Sequence, residues 1–146
     1  MNIAPITQLS DELRTLAAQA LAEGHQHIQT LVNEFETGIN CFDKPGEGLF
    51  GAYRGNSIVG IGGVSVDPYD RLDVVARVRR VFVLPTARRE GVATALMQQI
   101  EEMARRHFPK IQLFTASTTA SRFYVNLGYS QVHHRAKVSH EKLLGR

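Results

Sequence analysis

Cysteine is nearly missing from this chain. Its 146 residues include only Cys41, so no internal disulfide can form, and a reducing, cytoplasmic setting is the expectation. No activating partner is evident around Cys41, which reads as a loop thiol and not as a nucleophile. Long apolar runs are missing as well. None reaches membrane-spanning length, and the N-terminus does not read as a signal peptide, so no membrane partner is expected. There is no single basic tract. Lys and Arg number 17 against 14 Asp and Glu, for a formal charge of +3. Such a balance can mean nucleic acid. Here the basic residues gather at Arg71 to Arg89 and again near the C-terminus, the second group reading as a solvated face. No Cys/His spacing suggests zinc. His25 and His27 lie near a helix start. His133 and His134 are adjacent on a strand pattern and so point to opposite faces. All four read as surface or packing residues, and no metal is expected. Repeats and low-complexity linkers are absent, and the length suits one domain, residues 1–146.

What is present is a succession of strand and helix patterns. Asn2 to Ile6 reads as a short strand. Leu9, Leu13, Leu16, Ala20 and Leu21 recur at helical spacing after a Ser10 cap, and Gly24 ends that pattern. Ile28, Leu31, Val32 and Phe35 form a second helical stripe that stops near Gly38. Leu49 to Arg54 and Ile58 to Val66 read as strands joined by Gly55-Asn56, a two-residue turn suited to a hairpin. Asp67 to Asp70 is a loop, and Val74 to Leu84 reads as one long central strand. Val92, Leu96, Ile100 (or Gln99), Met103 and His107 mark a third helix, closed before Pro109. Ile111 to Thr115 reads as a buried strand. Thr119 to Leu127 reads as a short helix ending at Gly128. Two strands are expected near Tyr129 to Arg135 and Lys137 to Leu143. This order predicts an α/β domain with a mixed sheet.

The most informative stretch is Arg88-Arg89-Glu90-Gly91-Val92-Ala93. It lies between the strand that stops at Pro85 and the third helix. The first amides of a helix have no intrahelical acceptor and carry partial positive charge, which suits an anion. Arg88 and Arg89 add full charges, and Gly91 lets the backbone come close to a phosphate. The segment is too short for a Walker lysine loop and lacks the glycines of a dinucleotide fingerprint.

Val81-Phe82-Val83-Leu84-Pro85 followed by Arg88-x-x-Gly91-x-Ala93 resembles the acetyl-CoA signature of the GNAT superfamily of N-acetyltransferases. Downstream, Arg122-Phe123-Tyr124-Val125-Asn126-Leu127-Gly128-Tyr129 resembles that family's Phe-Tyr-x-x-x-Gly-Phe/Tyr helix end. The resemblance covers about Arg79 to Tyr129. It implies a mixed, mostly antiparallel central sheet flanked by helices. The fourth and fifth strands, here Val74 to Leu84 and Ile111 to Thr115, would splay to admit the pantetheine arm.

The same resemblance implies a set of roles. Arg88, Arg89, Gly91, Val92 and Ala93 would hold the pyrophosphate. Val81, Val83 and Ser117 would line the path of the pantetheine, with a Val83 N–H at the thioester oxygen. Tyr124 would be the general acid for the departing thiolate. The expected activity is direct acetyl transfer from acetyl-CoA, as cosubstrate, to a primary amine of a small molecule or peptide. A protein-amine acetyltransferase and a non-catalytic acyl-CoA sensor are the alternatives, with a homodimer compatible and nucleic acid not expected. The base is missing. Relatives often carry a glutamate near the position of Arg77, and no acidic residue occurs from Val74 to Leu84. Asp73, Glu34 and Glu36 are the remaining candidates. On the acceptor side, Glu34, Glu36, Asp43, Asp67, Asp70 and Asp73 would draw a cationic amine. Arg77 would pair with an acidic group on the same acceptor, with Glu34 as its acidic counterpart in the site.

Overall fold

The Ser10 hydroxyl accepts a hydrogen bond from the Leu13 N–H at 3.1 Å. From that cap, helix α1 (Asp11–Ala22) buries Leu13, Leu16, Ala17 and Ala20, with acidic residues in its first turn where the helix end is positive. Helix α2 (His27–Thr37) ends at Gly38, which is left-handed. The two helices share a core with Phe42, Leu49, Ile61 and Phe82 on one face of the sheet. Helix α3 (Val92–Arg105) covers the other face, burying Val92, Leu96, Met97, Ile100 and Ala104. The computed structural model describes residues 1–70 and 74–145.

The strands are β1 (Asn2–Pro5), β2 (Gly48–Arg54), β3 (Ser57–Val66), β4 (Val75–Val83), β5 (Lys110–Leu113), β6 (Ser130–Gln131) and β7 (His140–Leu143). A fourth helix, α4 (Thr118–Asn126), follows β5. The sheet order is β1-β2-β3-β4-β5-β7-β6. Only β4 and β5 are parallel; the other pairs are antiparallel. The sheet is therefore mixed and mostly antiparallel. Gly60 decides how close α3 comes to β3: an added Cβ would stand 2.8 Å from the Val92 Cγ1.

The expected central strand forms, over Val75–Val83, but it is not uniform. Its pairing with β3 shifts register between Ile61 and Gly63, and Arg80 has φ +58. An extra residue is therefore bulged out of β4 at Arg80. The strand after α3 stops at Leu113, and Phe114 is exposed. The two C-terminal strands are far shorter than their patterns. Residues 133–137 are exposed, because His133, His134, Arg135 and Lys137 leave no alternating apolar face to bury. His107, placed in the apolar stripe of the third helix, is also exposed, and Phe108 is buried in its stead.

At the point where β4 and β5 meet lies a buried polar clasp. Asp67 is fully buried. Its Oδ2 accepts from Arg77 at 3.2 Å and from Gln112 at 2.6 Å, and its Oδ1 accepts from the Tyr69 N–H at 2.8 Å. Arg77 also donates to the Lys137 carbonyl at 2.7 Å, and Arg135 donates to Gln112 Oε1 at 3.1 Å. Every oxygen of the buried carboxylate is thereby satisfied, as burial requires.

Asp67→Ala strands the buried Arg77 charge and is expected to cost about 3–5 kcal/mol. Glu102→Ala removes two exposed helical ion pairs, to Arg105 and Arg106, and should cost under about 1 kcal/mol. Urea unfolding of the two variants measures the contrast; equal midpoints would show that the clasp does not hold the sheet together.

Candidate active site

Strands β4 and β5 pair only from Val75 to Arg77 against Lys110 to Gln112. Beyond those residues they separate. The bulge at Arg80 turns β4 away, since bulges add local twist. On the other side, the Leu113 carbonyl accepts from the Ser139 N–H, and the Thr115 N–H donates to Ser139 Oγ, both at 2.8 Å. The chain after β5 is thus drawn toward β7. The fork encloses a cleft of about 550 Å³, lined among others by His25, His27, Arg79, Val81, Phe114 and Tyr124.

Tyr124 projects from α4 into one wall. It is 7% exposed, and its hydroxyl has no hydrogen-bond partner among the described residues. Burial pushes its phenol up to about 12. It packs edge-on against Phe123 at 5.1 Å and Tyr129 at 5.6 Å between ring centroids. Tyr129 in turn donates to Glu101 of α3 at 2.8 Å, and Lys142 bridges Glu101 and the Leu127 carbonyl at 2.8 and 2.7 Å. This buried triad fixes the end of α4, and therefore Tyr124. Burial and Glu101 hold the Tyr129 phenol well above its ordinary range. The signal in the sequence was Glu101 itself, a charge inside the apolar stripe of Met97, Ile100 and Ala104.

The opposite wall carries His25 and His27, from the turn joining α1 and α2. Their rings lie 5.4 and 6.4 Å from the Phe82 ring. His25 is exposed and His27 partly buried, so both are surface and packing residues as expected, and both also line the cleft. Burial, the Arg80 charge and His25 all hold the His27 pKa below its ordinary value. His27 is therefore neutral at pH 7, with a lone pair available. No sequence pattern distinguishes it, because the fold alone brings this turn to β4.

At the far end, a smaller cavity of about 230 Å³ is lined by Val83, Arg88, Arg89, Gly91, Val92, Ala93 and Phe123. Gly91 is the N-cap of α3, with φ +78 and no side-chain cap. The first helical bond runs from the Ala95 N–H to the Gly91 carbonyl, which leaves the preceding amides open to a ligand. Arg89 is also left-handed, at φ +65. A Cβ on Gly91 would meet no protein atom within 4 Å; glycine is required for the backbone conformation and for room toward a ligand. Arg88 is held by the Val83 carbonyl at 3.0 Å and by Glu23 at 3.2 Å.

Other expected site residues are spread differently. Val81 lines the cleft, whereas Val83 lines the smaller cavity with its carbonyl occupied by Arg88. Ser117 lines the cleft, and its Oγ caps α4 by accepting from the Ala120 N–H at 3.1 Å. Arg77 reaches the cleft but its guanidinium is engaged by Asp67 and the Lys137 carbonyl. The Arg77 charge is therefore already paired, and Asp67 is fully buried and cannot serve as an acceptor-side carboxylate. Glu36 lies half-exposed with Arg14. Asp73 and Arg71 lie outside the described residues. Glu34 lines a further cavity of about 470 Å³ with Cys41, Asp43, Ser65, Tyr69, Arg79 and Arg80. Tyr69, Arg79 and Arg80 border both this cavity and the cleft. Cys41 contacts the Phe35 carbonyl at 3.6 Å. Among the described residues no group of three or more His, Cys, Asp or Glu could hold a metal ion, and no helix is long and apolar enough to cross a membrane.

An acetyltransferase from Exiguobacterium sp. 255-15 shares 26% identity with this chain at a TM-score of 0.82, over 98% of this chain and 94% of that one. An acetyltransferase from Streptococcus agalactiae has the same fold at 19% identity and TM-score 0.75, with 98% of each chain covered. Ard1 from Thermoplasma volcanium shares it at 16% identity and TM-score 0.72, over 99% of this chain and 98% of that one. No curated protein is significantly similar in sequence. Residues 45–131 match the family model described as acetyltransferase (GNAT) domain. That stretch holds both motifs, the fork between β4 and β5, and the uncapped start of α3. The chain belongs to the GNAT acetyltransferase family.

Proposed function

We propose that this acetyltransferase moves the acetyl group of acetyl-CoA directly to a primary amine, with no covalent enzyme intermediate. The observation that carries the reading is one continuous geometry. An uncapped helix start leads along β4 to a fork where a phenol and a neutral imidazole occupy opposite walls. The pyrophosphate suits the Gly91 to Ala93 amides, with Arg89 beside them. The pantetheine suits the gap in the sheet, where β4 and β5 leave backbone groups unpaired. At the thioester, the bulge makes Val81 a better source of a main-chain N–H than Val83.

In the transfer, the amine nitrogen forms a bond to the acetyl carbon as the carbon–sulfur bond breaks. The attacking nitrogen must lose a proton, and the sulfur leaves as a thiolate that takes its proton from solvent. His27 is our candidate to take the nitrogen's proton, which fills the gap left by the missing strand carboxylate. Tyr124 faces the departing sulfur. Its phenol at about 12 is a weaker acid than an ordinary thiol, at about 8.5. Tyr124 therefore stabilises the thiolate by donating a hydrogen bond and keeps its own proton, so it is not a general acid in the full sense. A soluble amine acceptor fits the cavities better than a passive sensor would, because a sensor needs neither group.

Gly91→Val should weaken acetyl-CoA binding by roughly tenfold or more, since a β-branched residue at positive φ is strained. Arg88→Ala should matter less, because its contacts are to Val83 and Glu23 and the backbone amides remain. Calorimetry with acetyl-CoA on folded variants compares the two; unchanged affinity in Gly91→Val removes the phosphate assignment.

Tyr124→Phe should retain acetyl-CoA affinity and lose about 10²–10³ in kcat, the usual effect of deleting one donor to developing negative charge. Wild-type turnover in that variant, with chemistry rate-limiting, would return Tyr124 to packing.

The pH profile tests His27. Because its pKa is lowered, the neutral form persists below the ordinary value of 6.5. The acid limb of the rate should fall through an apparent pKa below 6.5 that is the same for acceptors of different basicity. Arg80 and His25 face the imidazole and set its position. In His27→Ala the limb should instead follow each acceptor's own amine. A wild-type limb that already tracks the acceptor would remove His27 as the base.

A further inference from the structure

We propose that the cavity bordered by Arg79 and Arg80 is an acceptor subsite for a carboxylate, so that the preferred acceptor is a small amine bearing one. The inference rests on the acetyl-transfer reading above and names its substrate class.

Its basis is an unmet demand for an anion. Arg79 donates to the neutral Ser65 hydroxyl at 3.0 Å. Among the described residues it has no carboxylate within ion-pair distance. Its pKa is pressed below the ordinary guanidinium value, first by burial and then by Arg80, with Arg77 adding to the effect. Glu34 attracts it, but the Glu34 oxygen pairs with Arg80 at 3.4 Å. Arg80 is itself incomplete, for its Nε is buried with no hydrogen-bond partner. Arg79 thus borders the cavity with no carboxylate paired to it, beside an Arg80 that is only partly satisfied. Residues adjacent on a regular strand point to opposite faces. The bulge at Arg80 is what brings both to the same side.

The other charges around the cavity narrow the anion. Asp67 is consumed by Arg77. Glu47 accepts from the Val66 and Lys44 N–H groups at 2.8 and 3.2 Å. Glu34 and Asp43 face the cavity from the α2 side. A polyamine would meet two arginines. A dianionic phosphate would meet three carboxylates. An amino acid avoids both conflicts, with its carboxylate forked by arginine at the border with the cleft and its amine reaching into the cleft. The cavity, about 470 Å³, is in the size range of small-molecule sites. It opens to the cleft at Arg79, Arg80 and Tyr69, so a bound amine lies on the path to Val81 and His27. Arg79 thereby takes the role that the sequence pattern suggested for Arg77.

Paired acceptors decide the matter: glycine, β-alanine and γ-aminobutyrate, each against its carboxamide, with thiol release as the readout. Rates are compared per neutral amine, because the amides are weaker bases. The acids should exceed the amides by roughly tenfold or more in kcat/KM, as expected for a charged hydrogen-bonded pair. Arg79→Gln should abolish that preference and leave acetyl-CoA affinity within about twofold, and Arg79→Lys should restore part of it. Thermal unfolding verifies that both variants are folded. Equal use of acids and amides, or an equal loss for both in Arg79→Gln, overturns the subsite. A second measurement is independent of turnover: calorimetry of N-acetylglycine and N-acetylglycinamide with the protein plus CoA. Tighter binding of the acid, lost in Arg79→Gln, supports the subsite even if no amine is acetylated, an outcome that would sink only the transfer reading. Acid and amide binding alike, or neither binding, overturns the subsite.

Discussion

A buried carboxylate at a fork in the sheet is the constraint on which this structure turns. Asp67 has no contact with solvent, so its charge must be answered within the protein. Arg77 and Gln112 answer it from β4 and β5 at the last register where those strands still pair. The clasp closes one end of the parallel pair and leaves the other end free to separate. A cleft between two adjacent strands exposes backbone groups that a ladder would otherwise satisfy. That is stable only if one end is held firmly and a ligand or water serves the other.

The clasp also sorts the arginines of β4. Arg77 is absorbed by structure. Arg79 and Arg80 are not, and the bulge lifts both toward the cavities. One strand therefore supplies core contacts through Phe82, a cleft wall through Val81, and a charge without an ion-pair partner through Arg79. The bulge is central to each of these duties, because it breaks the two-residue alternation that would have hidden Arg80 behind the sheet.

Reactive groups here are fixed by partners that do not touch the cleft. Tyr124 owes its position to α4, whose end is tied by Tyr129, Glu101 and Lys142 to α3 and β7. His27 owes its position to the α1–α2 turn, stacked on Phe82. Burial acts on both in opposite senses. It raises the phenol and lowers the imidazole, since each is disfavoured in its charged form. Two neutral groups on opposite walls, one donor and one acceptor, follow from that single effect.

The sequence by itself determined the order of elements, the helix caps at Ser10 and Gly38, the hairpin, and the glycine turn that opens α3. These are local: periodicity, a hydroxyl before a helix, and a glycine at positive φ depend on neighbours in the chain. It also marked Tyr124 through a short motif. The tertiary structure decided the rest. Whether Arg77 or Arg79 has its charge paired depends on Asp67, ten residues from Arg77 along the chain, and on Gln112 beyond it. Whether His27 is surface or cleft depends on which strand its turn lands upon. The bulge at Arg80 arises from the register of two strands, and no single-strand pattern encodes it. Pairing, burial and charge compensation are properties of distant residues brought together, and those decided which side chains remain available for chemistry.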